Sequence, residues 1–500
     1  MMANQKKFSS GGVEWSIRVG DGSPPKILVP QETLASRVWL GLKDKIARFV
    51  SRVWRFLVKA WNLAVDDPRK VIHCLKVGIA LTVVSLFYYM RPLYEGVGGN
   101  AMWAVMTVVV VFENTVGATL CKCLNRIVGT SLAGLLAIGV HWVARQSGEN
   151  LEPLITSKID LTVVFLLTAS AATFSRFIPT IKARFDYGAM IFILTFSLVT
   201  VSGYRIDKLF DMAHQRLSTI IIGTSLCILV TTLICPIWAG QELYVLINKN
   251  MDKLANSLDG CVSQYFDHGD EKTEKEDKAL LGYKCVLNSK GTEDIMANFT
   301  RWEPAHGRFN FRHPWKQYLK IGASMRSCAY CIEALIGCIK SENQAPELIK
   351  KQLRNTCLLV GSNSSGVIKE LAKTIKTMKK SNTIDLLVGE MNSAVQELQN
   401  DLKSLSCLSN SDSPSFQEES ETPENKKTEK SQKAAATIPL MGVISVVTFA
   451  SLLIEIVSRT EAIVEAVEEL SNLAEFELTV SKQNQSNQKD EQTMQNSQMV

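Results

Sequence analysis

Between residues 71 and 241 long apolar runs alternate with short polar breaks. Elsewhere apolar residues recur mainly at helical spacing. The runs are Val71–Met90, Gly96–Phe112, Ile127–Ala144, Leu161–Ser175, Tyr187–Tyr204 and Leu217–Trp238. Several are shorter than the ~20 residues a lone transmembrane helix needs, so they are expected to pack as one bundle. Six such runs so close together argue against a soluble buried core. The pattern predicts an all-α membrane protein with six transmembrane helices and a cytosolic helical bundle.

Flanking charge orients the spans, because cytosolic loops carry the excess of Lys and Arg. Arg69 and Lys70 precede the first run. The loops Cys121–Arg126 and Arg176–Asp186 carry Lys122, Arg126, Arg176, Lys182 and Arg184, and are read as inside. The stretches between are neutral or acidic and are read as outside. Six spans place both termini in the cytosol. The runs also suggest two inverted three-span halves: Asn125-Arg126-Ile127-Val128-Gly129-Thr130-Ser131-Leu132 has a counterpart in Gln215-Arg216-Leu217 and Ile222-Gly223-Thr224-Ser225-Leu226.

The remaining pattern divides the chain further. Residues 1–70 form a cytosolic extension, in which Ser36–Pro68 reads as a basic amphipathic helix. It would lie on the inner membrane surface or pack on the cytosolic domain, with calmodulin binding a third reading. Residues 71–240 are the pore domain and 241–410 a cytosolic bundle of about five helices. Residues 411–436 lack the apolar content to order themselves. Residues 437–480 read as a helix docking on the cytosolic domain, although Ala434–Ile454 carries no charge and has the length of a seventh span. Residues 481–500 are a polar tail.

Composition narrows the chemistry. The net charge of +6 is modest, and no basic patch with interleaved aromatics points to nucleic acid. The 12 cysteines fall outside every predicted external loop, which fits a reduced setting rather than a disulfide framework. Six histidines show no metal spacing, and Cys328-x-x-Cys331 has no second pair to complete a zinc site. There is no phosphate-binding loop or nucleophile elbow, so neither an enzyme nor a cofactor is expected.

The distinctive residues are cations within or beside apolar runs. Lys76 lies inside the first, Arg126 and Arg216 open the third span of each half, and Lys122 precedes Arg126 by one turn. A charge at such depth costs at least ~2.5 kcal/mol unless it faces protein or water. Fixed cations in a low-dielectric wall offset the dehydration of an anion, and arginine forks onto a carboxylate. Lys76, Lys122, Arg126 and Arg216 are therefore the expected pore residues; the bland alternative is topological anchoring. Glu113 either pairs with a pore cation or marks a span end. Glu95, Asp207 and Asp211 either sense an external multivalent cation or are solvated loop charges.

Several of these stretches resemble the plant aluminium-activated malate transporters. They include Asp67-Pro68-Arg69-Lys70, the run from Asn100-Ala101-Met102-Trp103 to Phe112-Glu113, Gly117-Ala118-Thr119-Leu120, Phe185-Asp186-Tyr187-Gly188 and Pro236-Ile237-Trp238-Ala239-Gly240. Trp302-Glu303-Pro304 resembles the family's tripeptide, and Phe449–Glu455 its late helix. The resemblance implies a homodimeric anion channel carrying malate, with a pore lined at Arg126 and Arg216 and a functional role for Glu303. It also implies that the late helix is cytosolic. The sequence thus leads to a channel for malate and inorganic anions such as chloride and nitrate, with membrane lipid and a second copy as partners. The plasma membrane is expected ahead of the vacuolar membrane as host. The rivals are a coupled exporter of organic acids and a membrane-anchored scaffold.

Overall fold

The computed structural model describes residues 34–89, 101–147, 156–202, 209–266, 279–310, 312–340, 347–410 and 440–478. The chain divides into two units, Met1–Ile72 and His73–Val500. In the first, Leu34–Asp66 forms one helix, α1, with its apolar and its basic residues exposed. Pro68 opens α2, Pro68–Tyr89, which runs into the second unit; proline suits a first helical turn because its missing N–H would have no partner there.

The second unit contains two helical clusters. The more apolar one continues from α2 through α3 (Ala101–Val111), α4 (Val116–Ser147), α5 (Thr156–Ser175), α6 (Pro179–Ser202) and α7 (Leu209–Leu233). Each expected apolar run overlaps one of these helices, although Phe112 and the segment 234–238 are not helical and parts of three runs lie outside the described residues. Among the described residues, three segments are long and apolar enough to cross a membrane: Val116–Val140, Pro179–Thr200 and His214–Leu233. Met102–Val111 and Thr162–Ser175 are apolar but shorter. Ala80, Val84, Val108, Cys123 and Cys227 join α2, α3, α4 and α7 in one core, while Ala133, Ala137, Phe196 and Val199 join α4 to α6. Small residues set the closest approach: a Cβ on Gly129 would lie 2.7 Å from the Gly188 carbonyl oxygen. The outward faces remain apolar, with Leu135 and Leu233 exposed.

One loop expectation is corrected here. Cys121–Arg126 is helical and lies well inside α4, so Arg126 does not open a span. The helix runs through these polar residues because neighbours satisfy them. Asn125 Nδ2 donates to the Arg184 carbonyl at 3.2 Å, and Arg126 reaches a hydroxyl on α6. The Arg176–Asp186 loop likewise shrinks to a turn before Pro179, with Arg176 Nε donating to Asp186 Oδ1 at 2.8 Å.

The second cluster comprises α8 (Ala239–Phe266), α9 (Tyr283–Leu287), α10 (Lys290–Phe299), α11 (Trp315–Lys340), α12 (Glu347–Thr377), α13 (Ile384–Asn410) and α14 (Leu440–Leu473). Its helices bury one stripe each, as with Leu243, Ile247, Met251, Leu254 and Leu258 on α8. The uncharged start of α14 is explained by burial: Val446, Phe449, Leu453 and Ile456 enter this core, and Tyr265 stacks on Phe449 at 3.8 Å. A short parallel pairing of Lys379–Lys380 with Glu477–Leu478 ties the end of α12 to the segment after α14.

Candidate functional site

Arg126 on α4 and Arg216 on α7 line the same cavity of about 20 Å³, with Trp103, Thr130, Ile191, Leu194, Thr195 and Ile220. That volume holds about one water. Arg126 is 6 % exposed and donates through one terminal nitrogen to the Tyr187 hydroxyl at 3.0 Å; its Nε is buried without a partner. The Arg216 guanidinium lies 4.4 Å from the centre of the Trp103 ring, a cation–π arrangement. Among the described residues neither arginine is paired with a carboxylate. Thr130 Oγ1 is also buried and unpartnered. A second cavity, about 250 Å³ and mainly apolar, shares Thr130, Thr195 and Arg216 with the first and extends past Gly134 and Ile138 to His214. An unmet buried donor beside fixed positive charge is costly without an acceptor, which makes these cavities a candidate seat for one.

Lys122 and Glu113 line neither cavity. They form a close ion pair, and Lys122 Nζ also lies 5.6 Å from the Tyr187 ring that holds Arg126. Glu113 is thus paired with a cation and also lies just past the end of α3. Lys76 is placed differently. It is 1 % exposed, and its Nζ donates to the Cys235 carbonyl at 2.7 Å. Cys235 follows the end of α7 with φ of 41°, so the ammonium satisfies a helix C-terminal carbonyl, where cations are favoured. Lys76 lines neither cavity.

Glu303 forms a second focus, where the two clusters meet. Its Oε1 accepts the amides of Gly117 at 3.2 Å and Ala239 at 2.5 Å, and its Oε2 accepts Gly240 N–H at 3.0 Å. These are the free first-turn amides of α4 and α8, so one carboxylate caps two helices. The Val116 amide is satisfied separately, by the Ile237 carbonyl at 2.9 Å. Burial pushes the Glu303 carboxyl above its ordinary range, and the three backbone donors oppose that shift. Trp302 closes the 3₁₀ turn Thr300–Trp302 that delivers Glu303. The Pro304 carbonyl lies 2.9 Å from His306 Nδ1, and the His306 ring stacks on Trp238 at 4.0 Å. Both capped turns need glycine: a Cβ on Gly117 would lie 2.5 Å from the Phe299 oxygen, and one on Gly240 2.5 Å from the Trp315 ring.

Glu95 and Asp207 lie outside the described residues, as does the side chain of Asp211 on α7. Among the described residues, no group of three or more His, Cys, Asp or Glu could hold a metal ion. Burial raises the Cys328 thiol to about 12, as for an inert core thiol. Sequence reasoning did not anticipate Trp103, Tyr187, Thr130 and Thr195, the neutral residues around the arginines. The available signal was an aromatic or hydroxyl residue within or at the edge of three of the apolar runs.

The family model described as aluminium activated malate transporter matches residues 61–439 and 409–471. The aluminum-activated malate transporter 10 of Arabidopsis thaliana is 52% identical over 494 residues, covering 95% of this chain and 96% of that relative. Aluminum-activated malate transporter 2 of the same plant is 45% identical, covering 82% of this chain and 76% of the relative. Aluminum-activated malate transporter 1 of Triticum aestivum is 39% identical, covering 87% and 89%.

Proposed function

From the premise that the chain belongs to the aluminium-activated malate transporter family, we propose that it is an anion channel that lets malate cross a plant membrane. Helices α2 to α7 would be its six spans. Chloride and nitrate would follow the same path. The observation that carries this reading is the convergence of Arg126 and Arg216 on one cavity without a carboxylate partner among the described residues. A dicarboxylate entering from the larger cavity would exchange its hydration for the Arg216 guanidinium, the Thr130 hydroxyl and the free Nε of Arg126. The inner cavity is too small for malate, so conduction requires α4 and α7 to part there.

Lys122 would raise the anion concentration beside the seat, with Glu113 attenuating it. Lys76 would hold the end of α7. Glu303, set between Trp302 and Pro304, would couple the soluble bundle to α4. A homodimer contacting membrane lipid, in the plasma membrane with both termini cytosolic, completes the proposal. The similar Asn125–Leu132 and Gln215–Leu226 stretches on α4 and α7 favour a second reading, a coupled transporter with inverted halves. Single-channel recording separates the two, since a transport cycle passes too little charge to resolve as steps.

The direct test is charge reversal. Arg126→Glu and Arg216→Glu are each expected to abolish malate current while the protein still reaches the membrane. Wild-type current from both variants, at equal surface density, removes these arginines from the conduction path.

A further inference from the structure

We propose that α1 is a surface-binding helix that lies on anionic lipid. The proposal rests on the chain being a membrane protein and is independent of the pore reading.

The faces of the helix are segregated. At about 100° per residue, Trp39, Ile46, Phe49, Val53, Leu57 and Trp61 fall within an arc of about 120°. Arg48, Arg52, Arg55 and Lys59 group on the opposite side. The helix carries seven basic residues against two acidic ones, Asp44 and Asp66. Trp39, Phe49 and Trp61 are 64%, 64% and 71% exposed. A stripe of this size, rich in tryptophan, needs an apolar partner.

Length and connectivity choose the partner. The 33 residues of α1 would reach about 50 Å, longer than a bilayer core is thick. Its cations are spread through its middle, and α1 is not among the segments apolar enough to cross. Asp67 alone separates α1 from α2. Pro68 has no N–H to continue the α1 hydrogen-bond ladder, so the chain is free to change direction there. The apolar part of α2 starts at Val71, which holds the end of α1 at the membrane surface. A helix tethered there, with an apolar stripe and an excess of positive charge, complements a negatively charged lipid surface.

Amide hydrogen exchange on the full chain in vesicles tests this. In phosphatidylcholine vesicles containing about 30% phosphatidylserine, exchange across α1 should be roughly tenfold slower than in phosphatidylcholine alone. Near 1 M salt, where the Debye length is about 3 Å, most of that difference should vanish. Phe49→Glu with Leu57→Glu should remove the protection in the anionic vesicles and leave exchange in α4 and α7 unchanged. Equal α1 exchange in both vesicle types overturns the proposal. So does protection that arises only when calcium-loaded calmodulin is added.

Discussion

Glu303 Oε1 accepts the Gly117 amide across 186 residues of sequence, joining the first turn of an apolar helix to a carboxylate from the second cluster. The same carboxylate caps α8, so losing it exposes free amides in two helices at once. Hydrogen bonds to a charged group contribute about 1.5–3 kcal/mol each. Glu303→Ala should therefore destabilise the protein by about 3 kcal/mol or more, seen as a lower melting temperature in detergent. Glu303→Gln, which keeps one acceptor oxygen, should cost about half as much. Equal melting of all three proteins would show that the two clusters do not depend on this cap.

Glycine contacts provide a contrast within a single helix. At Gly117 and Gly129 a methyl group would meet backbone oxygens at 2.5 and 2.7 Å, whereas at Gly134 nothing lies within 4 Å. Gly117→Ala and Gly129→Ala should cost about 1–3 kcal/mol by overpacking. Gly134→Ala should be neutral or slightly stabilising, because alanine favours the helix by about 1 kcal/mol. Detergent-stable yield of the three variants measures this directly.

Acid should loosen the junction through His313. Its ring packs among Phe309, Trp315 and Tyr318, with Nε2 3.1 Å from the Tyr318 hydroxyl. Burial lowers its pKa to about 4 from an ordinary value of 6.5. The folded state thus holds fewer protons than the unfolded one between these values. The stabilisation is complete above pH 6.5 and is lost as pH falls toward 4. For a half-buried ring the total is about 1–2 kcal/mol. Melting temperature against pH should fall over this window in the wild type and flatten in His313→Gln.

The helices were legible where periodicity was strong. Each apolar run overlaps a helix, and the stripe on α8 follows directly from its i, i+3, i+4 spacing. The Cys121–Arg126 segment was misread because charged and amide residues resemble a loop until their partners are known. Asn125 and Arg126 are helical because Arg184 and Tyr187, far along the chain, accept their protons. The depth of Lys76 was readable, but its bond to the Cys235 carbonyl was not, because that depends on how α7 ends. Glu303 was legible only through the tripeptide's resemblance to a family; local pattern carries no sign that one carboxylate caps two helices.

The ion pair of Glu113 with Lys122 should act as an attenuator of the anion path. Glu113 comes from the turn after α3 and Lys122 from α4, and both side chains are partly exposed. Such pairs contribute about 0.2–1 kcal/mol, so the link is weak enough to be changed without unfolding the site. Glu113→Gln removes the negative partner and leaves the ammonium beside Tyr187, on which Arg126 also rests. The local potential becomes more positive, and the malate concentration giving half-maximal current should fall about two- to fivefold. Lys122→Gln should move it the other way, and both effects should shrink at high ionic strength. If Glu113 acts through the pair alone, the double variant should resemble Lys122→Gln. Concentration–current curves for the four proteins decide it: an unchanged midpoint in Glu113→Gln, with normal surface density, would leave the pair a structural tie between α3 and α4.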